Sequence, residues 1–140
     1  GYTLGPCEFK KNKITLPSGL LLHYHGLNFD PAEREWRYTY GGMPKRTYGP
    51  KILENITQAL ARIVVMDAAM LIEKRFAEEF DYPPRLALQV HDELVYVVPD
   101  EFVDRAMEIC AEEMRRPPIW AKDLPLASEC DVGQNYGDAK

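Results

Sequence analysis

The 140 residues are enough for one modest core, and small domains bury a smaller share of their surface than large ones. A hydrophobic content of 46% against 28% charged is ordinary for a folded soluble chain. No apolar run approaches the roughly 20 residues that span a bilayer and no basic-then-apolar leader is present, so neither a secretory signal nor a membrane partner is expected.

A net charge of −5 argues against a stand-alone nucleic-acid binder. The charge is unevenly spread: residues 1–62 hold nine Lys/Arg and five Asp/Glu, residues 63–140 eight and seventeen. The first half could face phosphate, and the second carries an acidic centre and a solvated helix face. Cys7, Cys110 and Cys130 are widely spaced and make neither a disulfide framework nor a zinc pattern, which points to a reducing, cytoplasmic setting. The chain opens on Gly1 rather than Met, as a cleaved tag or an excised segment would leave it.

In chain order, residues 1–13 show little periodicity and end in Lys10, Lys11 and Lys13, which reads as a solvated, partly mobile terminus. Residues 14–16 and 20–24 are extended runs around Pro17-Ser18-Gly19, a hairpin. His23 and His25 alternate along its second strand, with no third ligand of suitable spacing to complete a metal site. Residues 28–43 mix Pro, Gly, charges and aromatics, as an irregular or hairpin-like connection does.

Pro50 suits a first helical turn, where its missing N–H costs nothing. From there apolar residues recur at steps of three and four to about Phe80, ahead of Pro83-Pro84. Such a helix is about 45 Å long. Lys51, Asn55, Gln58 and Arg62 share one of its faces. Two amides between two cations make either a solvated stripe or a groove-reading surface, with cations for phosphates and amides for base edges.

Residues 86–90 and 94–98 read as two strands. Alternation puts Leu86, Leu88 and Val90 on one face and Ala87, Gln89 and His91 on the other. The turn between them is then the acidic pair Asp92-Glu93. Adjacent carboxylates repel each other, and a divalent cation such as Mg²⁺ would relieve that; a plain solvated turn is the alternative. Pro99-Asp100 caps a second helix with a buried stripe from Phe102 to Met114, ended by Arg115-Arg116-Pro117-Pro118. The tail holds one short strand. The expected fold class is α+β, with a small antiparallel sheet built on the central hairpin and the C-terminal strand and covered on one side by the helices. The reading is of a single domain, divided as 1–48 lead-in, 49–82 long helix, 85–98 hairpin, 100–116 helix and 117–140 strand and tail.

The string Gln89-Val90-His91-Asp92-Glu93-Leu94-Val95 closely resembles the palm motif of family A DNA polymerases, the group of bacterial DNA polymerase I and many phage replicases. The resemblance extends from the Thr15-Leu16-Pro17-Ser18-Gly19 hairpin to the Gly133-Gln134-Asn135-Tyr136 ending. It implies that Asp92 binds the catalytic metals, that Glu93 is a weak or outer ligand and that His91 approaches the primer terminus. Gln58 and Asn55 would contact the primer-template minor groove. Asn55 stands three residues before Gln58, in the phage-type pattern Glu-Asn-Ile-x-Gln; the bacterial enzymes place it four before. Lys45, Arg46, Lys51 and Arg62 are candidate phosphate contacts, and Gln89 joins the DNA-facing set.

The second metal-binding carboxylate of that family, on an Asp-Tyr-Ser-type strand, and its fingers helix have no counterpart in this sequence. The resemblance therefore implies a palm segment with half of a two-Mg²⁺ centre, inactive alone, whose partners are primer-template DNA, dNTP and the remaining fingers, thumb and upstream palm. A natural split gene or an excised piece of a replicase would both look like this, in the host cytoplasm if phage-encoded. A sheet left incomplete would invite self-association. Two other classes remain open: a non-catalytic duplex-binding palm remnant, and a small metal-dependent phosphodiesterase using His91 and Asp92.

Overall fold

The structure, a computed structural model, describes residues 1–139 and has the expected α+β composition. It divides into two compact units, Gly1–Ala61 and Arg62–Lys140.

The first unit begins with an antiparallel meander of β1 (Tyr2–Leu4), β2 (Cys7–Lys10), β3 (Lys13–Thr15) and β4 (Leu21–His23). The terminus read as solvated and partly mobile forms two hairpins. Each has a two-residue turn, Gly5-Pro6 and Lys11-Asn12, in which Gly5 and Asn12 take the positive φ that such turns require. Tyr2 stacks on its cross-strand partner Phe9 at 4.8 Å. Cys7, Ile14, Leu16 and Tyr24 are buried beneath. The hairpin at Pro17-Ser18-Gly19 is present as expected, closed by the amide of Leu16 on the carbonyl of Leu20.

A second meander follows, β5 (His25–Asp30), β6 (Glu35–Tyr40) and β7 (Met43–Thr47). Its last turn is Gly41-Gly42, both at positive φ, joining Tyr40 to Met43. The Asp30 carboxylate accepts from the amides of Ala32 and Glu33 to shape the preceding loop. Of the two expectations for residues 28–43, irregular or hairpin-like, the hairpin-like one holds.

Helix α1 (Gly49–Glu79) begins in the first unit and continues into the second. Its buried positions change side along its length: Ile56 and Ile63 share one face, and Ala69, Ile72 and Phe76 share the opposite one. By length and composition alone it is long and apolar enough to cross a membrane. Arg62 and Asp67 interrupt it.

In the second unit β8 (Arg85–Val90) pairs with β9 (Glu93–Val97) as a sheet of two strands. A 3₁₀ turn at Asp100–Phe102 leads into α2 (Val103–Arg115), and Asp100 makes no side-chain cap there, contrary to the sequence reading. The core joins Ile72, Phe76 and Phe80 to Ala106 and Ile109, with Leu94, Tyr96 and Phe102 packed against them. Phe76 meets Tyr96 edge-on at 5.3 Å, and Phe80 stacks on Phe102 at 4.6 Å. Both helices therefore line one side of the hairpin.

Charge bonds fasten α1 to α2. Arg105 donates to Glu79 at 2.7 and 2.8 Å, and Arg75 reaches Glu112 at 2.6 Å and Glu113 at 3.2 Å. Arg116 also donates twice to Glu113, whose side chain is only 3% exposed. The bonds from Arg116 and Arg75 hold the Glu113 carboxyl below its usual range, and Arg105 does the same for Glu79.

The expected C-terminal strand is absent among the described residues. Pro117, Pro118 and Pro125 supply no N–H to a ladder, and the tail lies along α2 instead. There Arg115 donates to the carbonyl of Ser128 at 2.7 Å. All three cysteines are free; burial pushes the Cys110 thiol up to about 12 and raises those of Cys7 and Cys130.

Candidate functional site

The acidic cluster sits at the tip of the β8–β9 hairpin. Val90 pairs with Glu93, so the two-residue turn is His91-Asp92 and Glu93 opens β9; the turn lies one residue earlier than the sequence suggested. His91 has φ 53 while Asp92 is not at positive φ. That is the sign pattern of a turn that normally takes Gly at its first position. Holding a histidine there costs about 1–3 kcal/mol, the kind of strain that collects at functional sites.

His91, Asp92 and Glu93 are all exposed. Nothing among the described residues hydrogen-bonds or pairs with the Asp92 carboxylate. Glu93, by contrast, accepts a 2.6 Å hydrogen bond from the phenol of Tyr136. Neighbouring carboxylates are thus treated differently, one bound by the tail and one open.

Strict alternation along β8 fails, because the register shifts between Leu86 and Leu88 and turns Leu88 out to solvent. Gln89 is half-buried, and its Nε2 lies buried without a hydrogen-bond partner among the described residues.

The polar stripe of α1 is present, with Lys51, Gln58 and Arg62 exposed and Asn55 half-buried. Glu54 organises its start, pairing with Lys51 at 3.3 Å and accepting from Gln58 Nε2 at 3.2 Å. Asn55 Nδ2 donates to the Tyr24 hydroxyl at 2.9 Å, which fixes one side of that amide within the first unit. Arg46 makes a long pair with Glu35 at 3.5 Å, while Lys45 and Arg62 have no ion-pair partner among the described residues. Sequence reasoning missed Tyr24 and Tyr136, because partners 31 and 43 residues away leave no local signal.

His23 and His25 stack at 5.1 Å, but no group of three His, Cys, Asp or Glu converges among the described residues. The oxygen donors at Asp92 and Glu93 suit a hard cation such as Mg²⁺, which proteins hold through one or two carboxylates plus substrate phosphates.

A sequence relationship to a DNA polymerase accompanies this geometry. The relative is the DNA polymerase of Bacillus phage SP02, 32% identical over an alignment of 134 positions that covers 88% of this chain. The chain spans 19% of that polymerase's length. No protein-family model and no solved structure matches the chain.

Proposed function

We propose that this chain is the C-terminal palm segment of a phage-type, family A DNA-directed DNA polymerase. The observation that carries the reading is the strained hairpin tip, with an exposed Asp92 carboxylate, unpartnered among the described residues, between a left-handed His91 and a tethered Glu93. The distant likeness to a phage DNA polymerase supports it.

In this reading Asp92 supplies one oxygen ligand to the metal centre, and Glu93 stands beside it as a weaker or outer ligand. His91 faces the primer terminus. Paired Mg²⁺ ions, when bound, would activate the primer 3′-oxygen and neutralise the departing pyrophosphate. Gln58 and the outward side of Asn55 meet the minor groove, where acceptors occur at every base pair. Lys45, Arg46, Lys51 and Arg62 take phosphates, and Gln89 joins the DNA-facing set. The rest of the centre, and the dNTP site, belong to the remaining polymerase, so the chain acts only when assembled with it, in the host cytoplasm. Alone, its β8–β9 sheet has only two strands among the described residues, and the isolated chain self-associates.

The test is primer extension with Mg²⁺ by this chain alone, and by this chain with the upstream polymerase, as wild type and Asp92→Ala. Extension only in the assembled wild type is expected. Undiminished extension by Asp92→Ala would remove that residue from the mechanism, and phosphodiester cleavage by the chain alone would replace the reading with a hydrolase.

A further inference from the structure

The ending Gly133-Gln134-Asn135-Tyr136 takes part in none of these steps, yet three of its four residues have a structural task. Gly133 passes so close to the chain end that a Cβ there would lie 2.6 Å from the Ala139 nitrogen and 2.7 Å from the Asp138 carbonyl carbon. Asn135 closes the loop, donating from Nδ2 to Asp138 at 2.5 Å and accepting from the Asp138 amide at 3.1 Å. The loop so formed presents the half-buried Tyr136, whose hydroxyl donates to Glu93 Oε2. At 2.6 Å this bond lies in the short range of a phenol on a carboxylate.

We propose that Tyr136 is a positioning residue for the acidic turn. Its phenol holds Glu93 in one orientation, and the terminal loop thereby leaves Asp92 as the carboxylate presented outward. The proposal rests on the polymerase reading of the turn. Glutamate is rotamer-rich, and unrestrained it would swing across the space beside Asp92. Ordering it costs entropy that a charge-assisted hydrogen bond offsets. Removing the donor loosens the orientation of Glu93, letting it compete more with Asp92 for the same cation.

Two readouts test this on Tyr136→Phe, which keeps the ring and removes only the donor. In the isolated chain, amide hydrogen exchange should rise about tenfold at residues 90–93 and 133–139 together. Gly133→Ala, which disturbs the loop while keeping the phenol, should raise exchange in the same two segments.

In the assembled polymerase, Tyr136→Phe should raise the Mg²⁺ concentration for half-maximal extension about threefold to tenfold with an unmoved KM for dNTP. If exchange and Mg²⁺ dependence both match wild type while Asp92→Ala abolishes extension, the positioning role is wrong and the polymerase reading survives. Raised exchange with unmoved Mg²⁺ dependence makes Tyr136 a structural brace only, and overturns the proposal. If Asp92→Ala extends normally, both ideas fall together.

Discussion

Residues 1–61 hold eight Lys/Arg and five Asp/Glu on seven short strands and the start of α1, whereas residues 62–140 hold nine and seventeen on a hairpin, α2 and the rest of α1. The units also cohere differently. The first is assembled from neighbours in sequence, hairpin after hairpin, and of the four largest fully buried side chains only Thr47 belongs to it. The second closes over Phe76, Ile72 and Ile109, brought together from distant parts of the chain and reinforced by the Arg75, Arg105 and Arg116 pairs. The lesson is a division of roles: a positively charged, locally built surface suits a phosphate backbone, and an acidic turn held by a firm core suits metal-assisted chemistry.

The hardest blow to that division is Asp92→Ala in the assembled polymerase. If Asp92 is a metal ligand as proposed, its loss should lower extension by about a thousandfold or more, while duplex binding, read by filter retention, stays within about twofold. Next in size is Phe76→Ala, which removes a fully buried ring from the second unit and costs about 3–5 kcal/mol in urea denaturation; Ile14→Ala in the first unit costs about 2–3 kcal/mol.

Acid should weaken the second unit through Glu79 and Glu113. Both are held below the ordinary value of 4.5, so their stabilisation is complete above that pH and is lost as pH falls through the lowered values. Melting of the second unit should therefore stay level from neutrality to about pH 5 and decline below about 4.5, and Glu113→Gln should flatten the decline. The smallest effect belongs to the cations. Lys45→Ala and Arg62→Ala should each reduce the salt dependence of duplex binding by about one unit of slope, without altering which sequences are bound.

Much of this was legible in the residues. The recurrence of apolar residues at three- and four-residue steps located α1 closely, although the buried side changes along it, from Ile56 and Ile63 to Ala69, Ile72 and Phe76. The β-branched and aromatic runs around His91 to Glu93 gave the hairpin. The early strands were missed because three- and four-residue strands such as Tyr2–Leu4 are too short to show alternation. Their turn residues, Gly5, Asn12 and Gly41-Gly42, were the readable signal. The turn position slipped by one because His91, not a usual occupant of positive φ at that position, carries the bend. Glu54 beside Gln58 was within reach, as a four-residue step on a helix. Tyr24 on Asn55 and Tyr136 on Glu93 depend on the tertiary fold and leave no trace in spacing.

The three cysteines have a practical consequence. With burial making every sulfhydryl less acidic than usual and pushing Cys110 up to about 12, very little thiolate exists at neutral pH, and thiolate is the species that alkylating reagents capture. A single engineered surface cysteine at an exposed position such as Ser18 would therefore react ahead of the native ones, giving a route to site-selective fluorophores or spin labels without first stripping the chain of its own sulfur.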